Sequence, residues 1–273
     1  MVLEEANAWK AWSQGPKGDE KNLCGIWTQA CVDAWQGGNH MSLYEPKPTE
    51  PARKHPLLKN FKDGKLPGDF AKKFPDIKHG GLGTCAVVAV GDNVLGKGRG
   101  ADIDAHDTVF RYNAPIKKFT KDVGARADIY YWKVRKDEKD YGVEGQKASR
   151  FYMFKEPAKF FLFGKSGEIK SNTYRGLPVV WTSGRSTPLG TSVYSGYKQE
   201  HRLKTGTPAG GFKFALDVVS SGLCTRVDLY GYTSLGTGKY FARNKLMKTV
   251  HISGVEHWTY RVLQEAGLAC VYD

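Results

Sequence analysis

The chain has 273 residues, 40% of them hydrophobic and 25% charged, proportions that are ordinary for a folded globular protein. It contains no apolar run of about 18 residues, so we expect no membrane span, and its N-terminus lacks the basic and then apolar order of a signal peptide. The 41 Lys and Arg against 28 Asp and Glu give a net charge of +13, which favours an anionic partner, although a lysine-rich surface explains the charge equally well.

The first 79 residues predict an N-terminal extension that packs on the main body. Tryptophans are frequent up to position 35, and residues 46–75 are rich in Lys and Pro, which indicates an extended surface segment. The core is predicted to begin near Gly80. We therefore divide the chain into an N-terminal extension, residues 1–79, and a main domain, residues 80–273.

Strands and helices alternate from residue 80 onward, which predicts an α/β fold with a mostly parallel sheet. Short β-branched apolar runs mark the strands, and apolar residues at helical spacing mark the helices. Strands are predicted at 85–90, 108–112, 127–132, 150–154, 178–182, 227–231 and 269–272, a helix or turn at 100–105, a short helix or strand at 160–163, and helices at 212–221 and 255–266.

The five cysteines show no C-x-x-C pair and no Cys/His spacing typical of zinc. Cys85 opens one predicted strand and Cys224 precedes another. Two such residues at strand edges either form a disulfide between neighbouring strands, which implies an oxidising compartment, or are two small buried side chains. The chain has no Asn-x-Ser/Thr sequon to support secretion.

A glycine loop follows the first predicted strand, with Gly96, Gly98 and Gly100 in alternation. A hydrophobic strand that leads into such a loop is how α/β proteins present backbone amides to a phosphate, which predicts a nucleotide or nucleotide-sugar ligand. The spacing fits neither the P-loop nor the G-x-G-x-x-G pattern. A long turn is the alternative.

Three later segments carry candidate chemistry. Small residues at Ala209, Gly210 and Gly211 precede a predicted helix, where amides and the helix dipole favour an anion, although an ordinary loop is as plausible. Lys239 and Tyr240 follow Gly238. His251 stands before the last helix with Glu256 five residues on, so it is either a general base or a structural histidine.

The order of these four elements resembles the L, S, III and VS sialylmotifs of the eukaryotic sialyltransferases, glycosyltransferase family 29. The resemblance covers about half of the chain, from residue 80 onward. The L-like block is the most specific and matches without a gap. Its matching residues include Cys85, Asn93, Gly96, Gly98, Gly100, Asp104, His106, Asp107, Arg111, Asn113, Asp122 and Gly124, and the later blocks match at Pro208, Gly211, Phe212, Cys224, Val227, Tyr230, Gly231, His251 and Glu256.

The resemblance implies a Rossmann-like α/β/α sandwich, a GT-A-like variant without a metal-binding DxD motif. It also implies that Asn113 hydrogen-bonds the phosphate or ribose of a CMP-sugar and that residues 209–211 cradle the cytidine and phosphate. Cys85 and Cys224 would form the family disulfide, and His251 would deprotonate the acceptor hydroxyl.

The chain departs from the family pattern at the donor side. The first donor-binding Asn is missing, so Asn93 is expected to replace it or Asp92 to contact the ribose. Ala209 and Gly210 stand where the family has Ser and Thr, which leaves backbone amides alone. Lys239 stands where motif III begins with His, and a lysine can neutralise a phosphate as a point charge.

We therefore expect an inverting, metal-independent transfer of sialic acid from CMP-sialic acid to a glycan hydroxyl, galactosides being the expected acceptors. The CMP-sugar is a co-substrate and no other cofactor is expected. Tyr194, Tyr197 and Tyr240 are candidate acceptor contacts. The alternatives are a CMP-Kdo transferase, a degenerate CMP- or glycan-binding protein, and, on charge alone, a nucleic-acid-binding protein, which the absence of recognisable motifs disfavours. By family analogy the expected location is the Golgi lumen, as a type II membrane protein whose anchor is missing here; an algal, viral or bacterial origin is the alternative.

Overall fold

The computed structural model describes a little under half of the chain, chiefly the predicted core. The described residues are 3–4, 6–7, 25–30, 72, 74–112, 116, 118–132, 160–163, 173–174, 177–181, 197–202, 206, 208–232, 238–240 and 253–272, with the backbone alone for 132, 160–163, 173–174, 177–181 and 253. The predicted strand at 150–154 lies outside them, as do Asn113, Tyr194 and His251.

Strands and helices alternate through the described part of the chain, with a 3-10 turn at Asp92–Val94 after the first strand. The strands are β1 (Thr84–Val88), β2 (Thr108–Tyr112), β3 (Ile129–Trp132), β4 (Phe160–Phe163), β5 (Thr173–Tyr174), β6 (Leu177–Trp181), β7 (Arg226–Tyr230) and β8 (Cys270–Tyr272). The helices are α1 (Gly100–Asp104), α2 (Thr120–Val123), α3 (Gly210–Val219) and α4 (Ser253–Glu265).

All eight strands form one sheet in the order β5-β6-β4-β3-β2-β1-β7-β8. Every pair is parallel except β5 with β6 at one edge. From β1 the chain proceeds through β2 to β6 on one side and returns to β7 and β8 on the other side. The predicted mostly parallel α/β fold is confirmed.

The central strands of the sheet are buried on both faces, as in parallel sheets. On one face Cys85 and Val87 of β1 belong to a core that includes Phe214 of α3 and Val262 of α4. On the other face the alternate β1 residues, such as Val88, belong to a core that includes helices α1 and α2. Strand β1 therefore lies at the centre of three layers, helix on sheet on helix, which is the predicted sandwich.

A disulfide joins Cys85 at the start of β1 to Cys224 just before β7, across a sequence separation of 139 residues. The two strands are direct neighbours, and Cys85 is paired in register with Val227. The predicted pairing of Cys85 with Cys224 is confirmed.

The sequence placed most core elements within a few residues of their observed bounds. The ambiguous segment at 160–163 is a strand, because it continues the sheet beside β3. Helix α2 and the two-residue strand β5 were not predicted, since both are too short to show a hydrophobic period.

Part of the N-terminal region contacts the core. Trp27 is buried, with its ring centroid 6.3 Å from that of Phe74, and the Gly25 nitrogen donates to the Ser220 carbonyl. The proposed boundary at residue 80 stays a prediction.

Candidate functional site

The chain reverses direction across the sheet between β1 and β7, so the carboxyl ends of these strands form a topological switch point, where open α/β sheets have a crevice. Strand β1 passes to β2 on one side, whereas β7 lies on its other side. In open α/β sheets a ligand binds outside the carboxyl ends of the strands at such a switch point. All four segments singled out in the sequence have described residues near these strand ends. The residues are Asn93, Gly210, Lys239 and Glu256.

Residues 238–240, here called the strap, pair with the chain that leaves β1. The backbone nitrogen of Asp92 donates to the Gly238 carbonyl over 3.0 Å, and that of Tyr240 donates to Val90 over 3.0 Å. Gly91 and Lys239 form an antiparallel bridge between these bonds. The tertiary structure thus brings Lys239 beside Asp92, two donor-side candidates that are 147 positions apart in the sequence.

Asn93 has a side-chain amide that is buried and lacks hydrogen-bond partners at both its oxygen and its nitrogen. A methyl group on Gly91 would lie 2.6 Å from Asn93 Oδ1 and equally close to the Gly231 carbonyl oxygen. The amide therefore lies between the ends of β1 and β7. An unpaired buried amide costs about 1–3 kcal/mol, which makes Asn93 a candidate contact for a polar ligand.

The N-terminus of α3 faces the same crevice and already holds one carboxylate. Lys213 makes the first helical hydrogen bond, to the Ala209 carbonyl, so the Gly210 and Gly211 amides precede the helical ladder. The Ala209 nitrogen donates over 2.7 Å to Glu256, which is 5% exposed. Of the three amides expected to hold a phosphate, that of Ala209 is therefore occupied.

Two tyrosines that the sequence did not single out flank this helix end. The Tyr112 side chain at the end of β2 contacts Gly210, and a methyl group on Gly211 would lie 3.9 Å from Tyr232 Cε1. Tyr112 stacks on Tyr131 with ring centroids 4.9 Å apart, and burial raises the pKa of Tyr232 well above 10. Their position at the carboxyl ends of β2 and β7 was the available signal, because ligand contacts in this fold come from strand ends.

Tyr197 lies at the beginning of α4. A methyl group on Gly254 would lie 3.1 Å from the Tyr197 hydroxyl oxygen, and the ring centroid of Tyr197 is 4.1 Å from that of His201. Tyr197 is thus beside the first residues of α4, and its predicted role as an acceptor contact stays a prediction. Tyr240, by contrast, is 1% exposed, and its ring packs against Phe119 in the core.

The glycine loop uses its Gly98 amide within the protein, which favours the long turn that the sequence left open as the alternative. The Asp122 carboxylate accepts a 2.9 Å hydrogen bond from the Gly98 nitrogen. This bond, together with others from the Gly96 and Lys97 backbone, holds the pKa of Asp122 below its usual range. A carboxylate from α2 thus occupies the place that a phosphate would take, and the loop is a closed turn.

A second polar cluster lies toward the amino ends of β2 and β7, away from the crevice. His106 Nε2 and Asp228 Oδ2 are 3.0 Å apart, and Arg226 donates to both oxygens of Asp228 over 2.8 Å. These groups satisfy one another, so the cluster ties the turn before β2 to β7.

Within the described residues no group of three or more His, Cys, Asp or Glu is arranged to hold a metal ion. No helix in that same part of the chain combines the length and the hydropathy needed to cross a bilayer.

Residues 45–151 match the family model of glycosyltransferase family 29 (sialyltransferase). The match covers less than half of the chain and begins well before residue 80, where the sequence reading placed the first resemblance. It includes β1, the strand-end residues Asp92 and Asn93, and Tyr112. The predicted resemblance to the sialyltransferases is confirmed by this match, whereas the individual sialylmotif assignments stay predictions.

Curated relatives match over short segments. The chain is 44% identical over 50 residues to a beta-galactoside alpha-2,6-sialyltransferase 2 from Xenopus tropicalis, covering 18% of this chain and 10% of that protein. It is 51% identical over 47 residues to the human alpha-N-acetylgalactosaminide alpha-2,6-sialyltransferase 2, covering 17% and 13%. The matched part thus spans only about a tenth of the length of these relatives.

Among solved structures, a mammalian sialyltransferase crystallised with Gal-beta-1-3GalNAc-ortho-nitrophenol aligns over 91% of this chain and 90% of its own, with 19% identity and a TM-score of 0.45.

Proposed function

We propose that this chain, whose residues 45–151 match the sialyltransferase family, transfers sialic acid from CMP-sialic acid to a glycan hydroxyl. The unpaired Asn93 amide at the meeting point of β1 and β7 carries this assignment. It lies where a nucleotide binds in an open α/β sheet, within the part of the chain that matches the family. The positively charged Lys239 is on the strap beside it.

In the proposed donor complex, the amide of Asn93 hydrogen-bonds the nucleotide, and Asn113 contacts its phosphate or ribose. Lys239 neutralises the phosphate, and the Gly210 and Gly211 amides bind it at the positive end of α3. Because Glu256 already places negative charge near that helix end, we assign Lys239 the larger share of the electrostatic stabilisation.

The proposed reaction is a single displacement with inversion and without a metal. The acceptor oxygen forms a bond to the anomeric carbon while the bond from that carbon to the phosphate oxygen breaks, and CMP departs with the electron pair. His251, with a reference pKa near 6.5, takes the acceptor proton. Lys239 and the helix amides stabilise the charge that develops on the phosphate, the role of a metal ion in other transferases.

On the acceptor side we propose that Tyr197 lines the entry, since it lies at the beginning of the helix that follows His251. Tyr194 is proposed to line the same entry. Tyr240 is proposed to support the site from the core and not to contact the acceptor, because its side chain is buried. A galactoside is the proposed acceptor, and the Golgi lumen the proposed compartment.

The test is donor turnover. The protein is incubated with CMP-Neu5Ac or CMP-Kdo and a panel of galactosides, and CMP release is followed by chromatography. His251→Ala should lose transfer by orders of magnitude while still binding CMP, whereas His79→Ala, an exposed histidine before β1, should not. Release from CMP-Kdo alone would change the donor, and CMP binding without release would indicate a degenerate binder. Absence of both turnover and CMP binding would refute the proposed function.

A further inference from the structure

The hydroxyl of Tyr112 takes the space in which a side chain of residue 210 would lie. A methyl group on Gly210 would overlap the Tyr112 hydroxyl oxygen and would lie 3.0 Å from the ring carbon that carries it. Gly210 is the first residue of α3, and residues 209–213 have no hydroxyl of their own. Tyr112, the last residue of β2, therefore brings a hydroxyl to a helix N-terminus that lacks one.

Aromatic neighbours hold the Tyr112 ring in this position. It stacks on Tyr131 with centroids 4.9 Å apart and lies 5.6 Å from the ring of Phe214. The rings of Tyr131 and Phe214 are themselves 5.0 Å apart, and Phe214 is a fully buried residue of α3. Because the three rings form one cluster with the helix, the Tyr112 hydroxyl is positioned before any ligand binds, and little rotamer entropy is lost on binding.

Tyr232, two residues after β7, places a second hydroxyl near the same helix end. A methyl group on Gly211 would lie 3.9 Å from Tyr232 Cε1 and equally far from the Tyr112 ring. The Tyr232 side chain is buried, and its hydroxyl oxygen has no hydrogen-bond partner among the described residues. Burial raises the pKa of Tyr232 well above its ordinary value, so the hydroxyl keeps its proton. A buried donor without an acceptor is unfavourable, and a ligand that brings an acceptor would satisfy it.

The end of α3 needs such donors if it is to bind an anion. The Gly210 and Gly211 amides precede the first helical hydrogen bond, which runs from Lys213 to the Ala209 carbonyl. The Ala209 amide is taken by the Glu256 carboxylate, which also adds negative charge there. Two amides and two phenol hydroxyls therefore remain, and together they form a set of donors suited to the oxygens of a phosphate.

We propose that Tyr112 and Tyr232 bind the phosphate of the CMP-sugar donor, each hydroxyl donating a hydrogen bond to a phosphate oxygen at the N-terminus of α3. The two tyrosines thereby replace the Ser and Thr that the family pattern has at residues 209 and 210. The identity of the donor rests on the proposed function, whereas the anion site rests on the geometry of the two tyrosines and the helix end.

The first test is calorimetry with CMP, cytidine and inorganic phosphate. Tyr112→Phe and Tyr232→Phe each keep the ring and remove one hydroxyl, and each should weaken CMP binding about tenfold, the loss typical of a hydrogen bond to a charged group. Cytidine has no phosphate, so its binding should not change. Tyr131→Phe is the matched control, because it removes a hydroxyl from the ring stacked on Tyr112, and it should keep native CMP affinity.

Moving the hydroxyl from one residue to the other separates its role from that of the ring. Tyr112→Phe removes the oxygen that a Cβ on residue 210 would overlap, so the second substitution Gly210→Ser restores a hydroxyl at that place. This double variant should recover much of the lost CMP affinity. Gly210→Ala in the same Tyr112→Phe background adds the Cβ alone and should recover none.

Each outcome has a distinct meaning. Native CMP affinity in Tyr112→Phe or in Tyr232→Phe would overturn the role of that tyrosine and leave the proposed function standing. Equal weakening by Tyr131→Phe would also overturn the proposal, since the aromatic cluster would then be responsible. Phosphate binding that Tyr112→Phe weakens, in a protein that does not bind CMP, would keep the anion site and remove the proposed function. A native protein that binds neither CMP nor phosphate would refute both.

Discussion

The Glu256 carboxylate accepts a hydrogen bond from the backbone nitrogen of Ala209, 47 residues away, with a nitrogen–oxygen distance of 2.7 Å. The bond fixes the first turn of α4 to the N-terminus of α3. The contact therefore fixes the beginning of α4 beside the Gly210 and Gly211 amides that begin α3. Glu256 thus has a structural partner of its own and is placed to align the two segments.

Replacing Glu256 tests that contact. Glu256→Ala leaves the Ala209 amide without its acceptor and should reduce the free energy of unfolding by about 1–3 kcal/mol. Glu256→Gln retains an oxygen acceptor and should lose less. Denaturant unfolding of both variants measures the difference, and equal stability of the two would contradict the inferred importance of the hydrogen bond.

Asn93 should be important for binding and nearly neutral for folding. Because its amide makes no hydrogen bonds in the free protein, Asn93→Ala removes an unpaired buried group and should not lower the unfolding free energy. It should weaken CMP binding tenfold or more, as measured by calorimetry. A stable variant that binds CMP with native affinity would remove Asn93 from the site.

The two glycines at the beginning of α3 should tolerate alanine very differently. A Cβ on Gly210 would overlap the Tyr112 hydroxyl oxygen, whereas one on Gly211 has nothing nearer than 3.9 Å. Gly210→Ala should therefore be destabilising, while Gly211→Ala should be neutral or slightly stabilising, since alanine is the better helix former. Thermal unfolding compares them.

A rescue identifies the cause. Adding Tyr112→Phe to Gly210→Ala removes the overlapping oxygen and should recover most of the lost stability. If the double variant is no more stable than Gly210→Ala alone, the steric explanation is wrong.

Breaking the Cys85–Cys224 disulfide should destabilise the whole sheet. It closes a loop across a sequence separation of 139 residues, for which chain-entropy estimates are about 4–5 kcal/mol. Cys85→Ala with Cys224→Ala should lower the unfolding midpoint strongly, and reductant should have the same effect on the native protein. Cys270→Ala, at an exposed free cysteine, is the control and should change neither.

The contribution of Asp122 should depend on pH in a defined direction. Its folded pKa is lowered chiefly by the Gly98 backbone hydrogen bond, so its stabilising effect is present above the unfolded value near 3.9 and is lost as pH falls through the folded value. The stability difference between the native protein and Asp122→Asn should therefore be constant near neutral pH and shrink in acid. A difference that grows below pH 4 would contradict the assignment.

Most of the sheet could be predicted because its strands are short apolar runs bounded by glycines and turns, a signal contained in neighbouring residues. The runs that became β1, β2 and β7 have that form, and alternation with helices implies parallel pairing. Helix α2 was not predicted, because four residues are too few to show a hydrophobic period.

The candidate site was only partly predictable. Lys239, Asp92 and Asn93 were identified by resemblance to a family pattern, and nothing local showed that they would meet. Tyr112 and Tyr232 were missed because their relevance depends on where β2 and β7 end relative to α3. Tyr240 was expected in the acceptor site, yet its side chain is buried in the core. The sequence could not show this, because a tyrosine that lines a pocket and one that fills a core have the same local pattern.

The sequence by itself determined the fold class, the resemblance to the sialyltransferases and the candidate cysteine pair, because composition, hydrophobic period and motif order are properties of neighbouring residues. The tertiary structure alone decided which polar groups are already satisfied. Asp122 occupies the glycine loop and Glu256 occupies the Ala209 amide, whereas the Asn93 amide and the terminal nitrogens of Arg111 stay unpaired. The reason is physical: the two hydrogen bonds join residues 24 and 47 positions apart, and only the folded chain brings such residues within bonding distance.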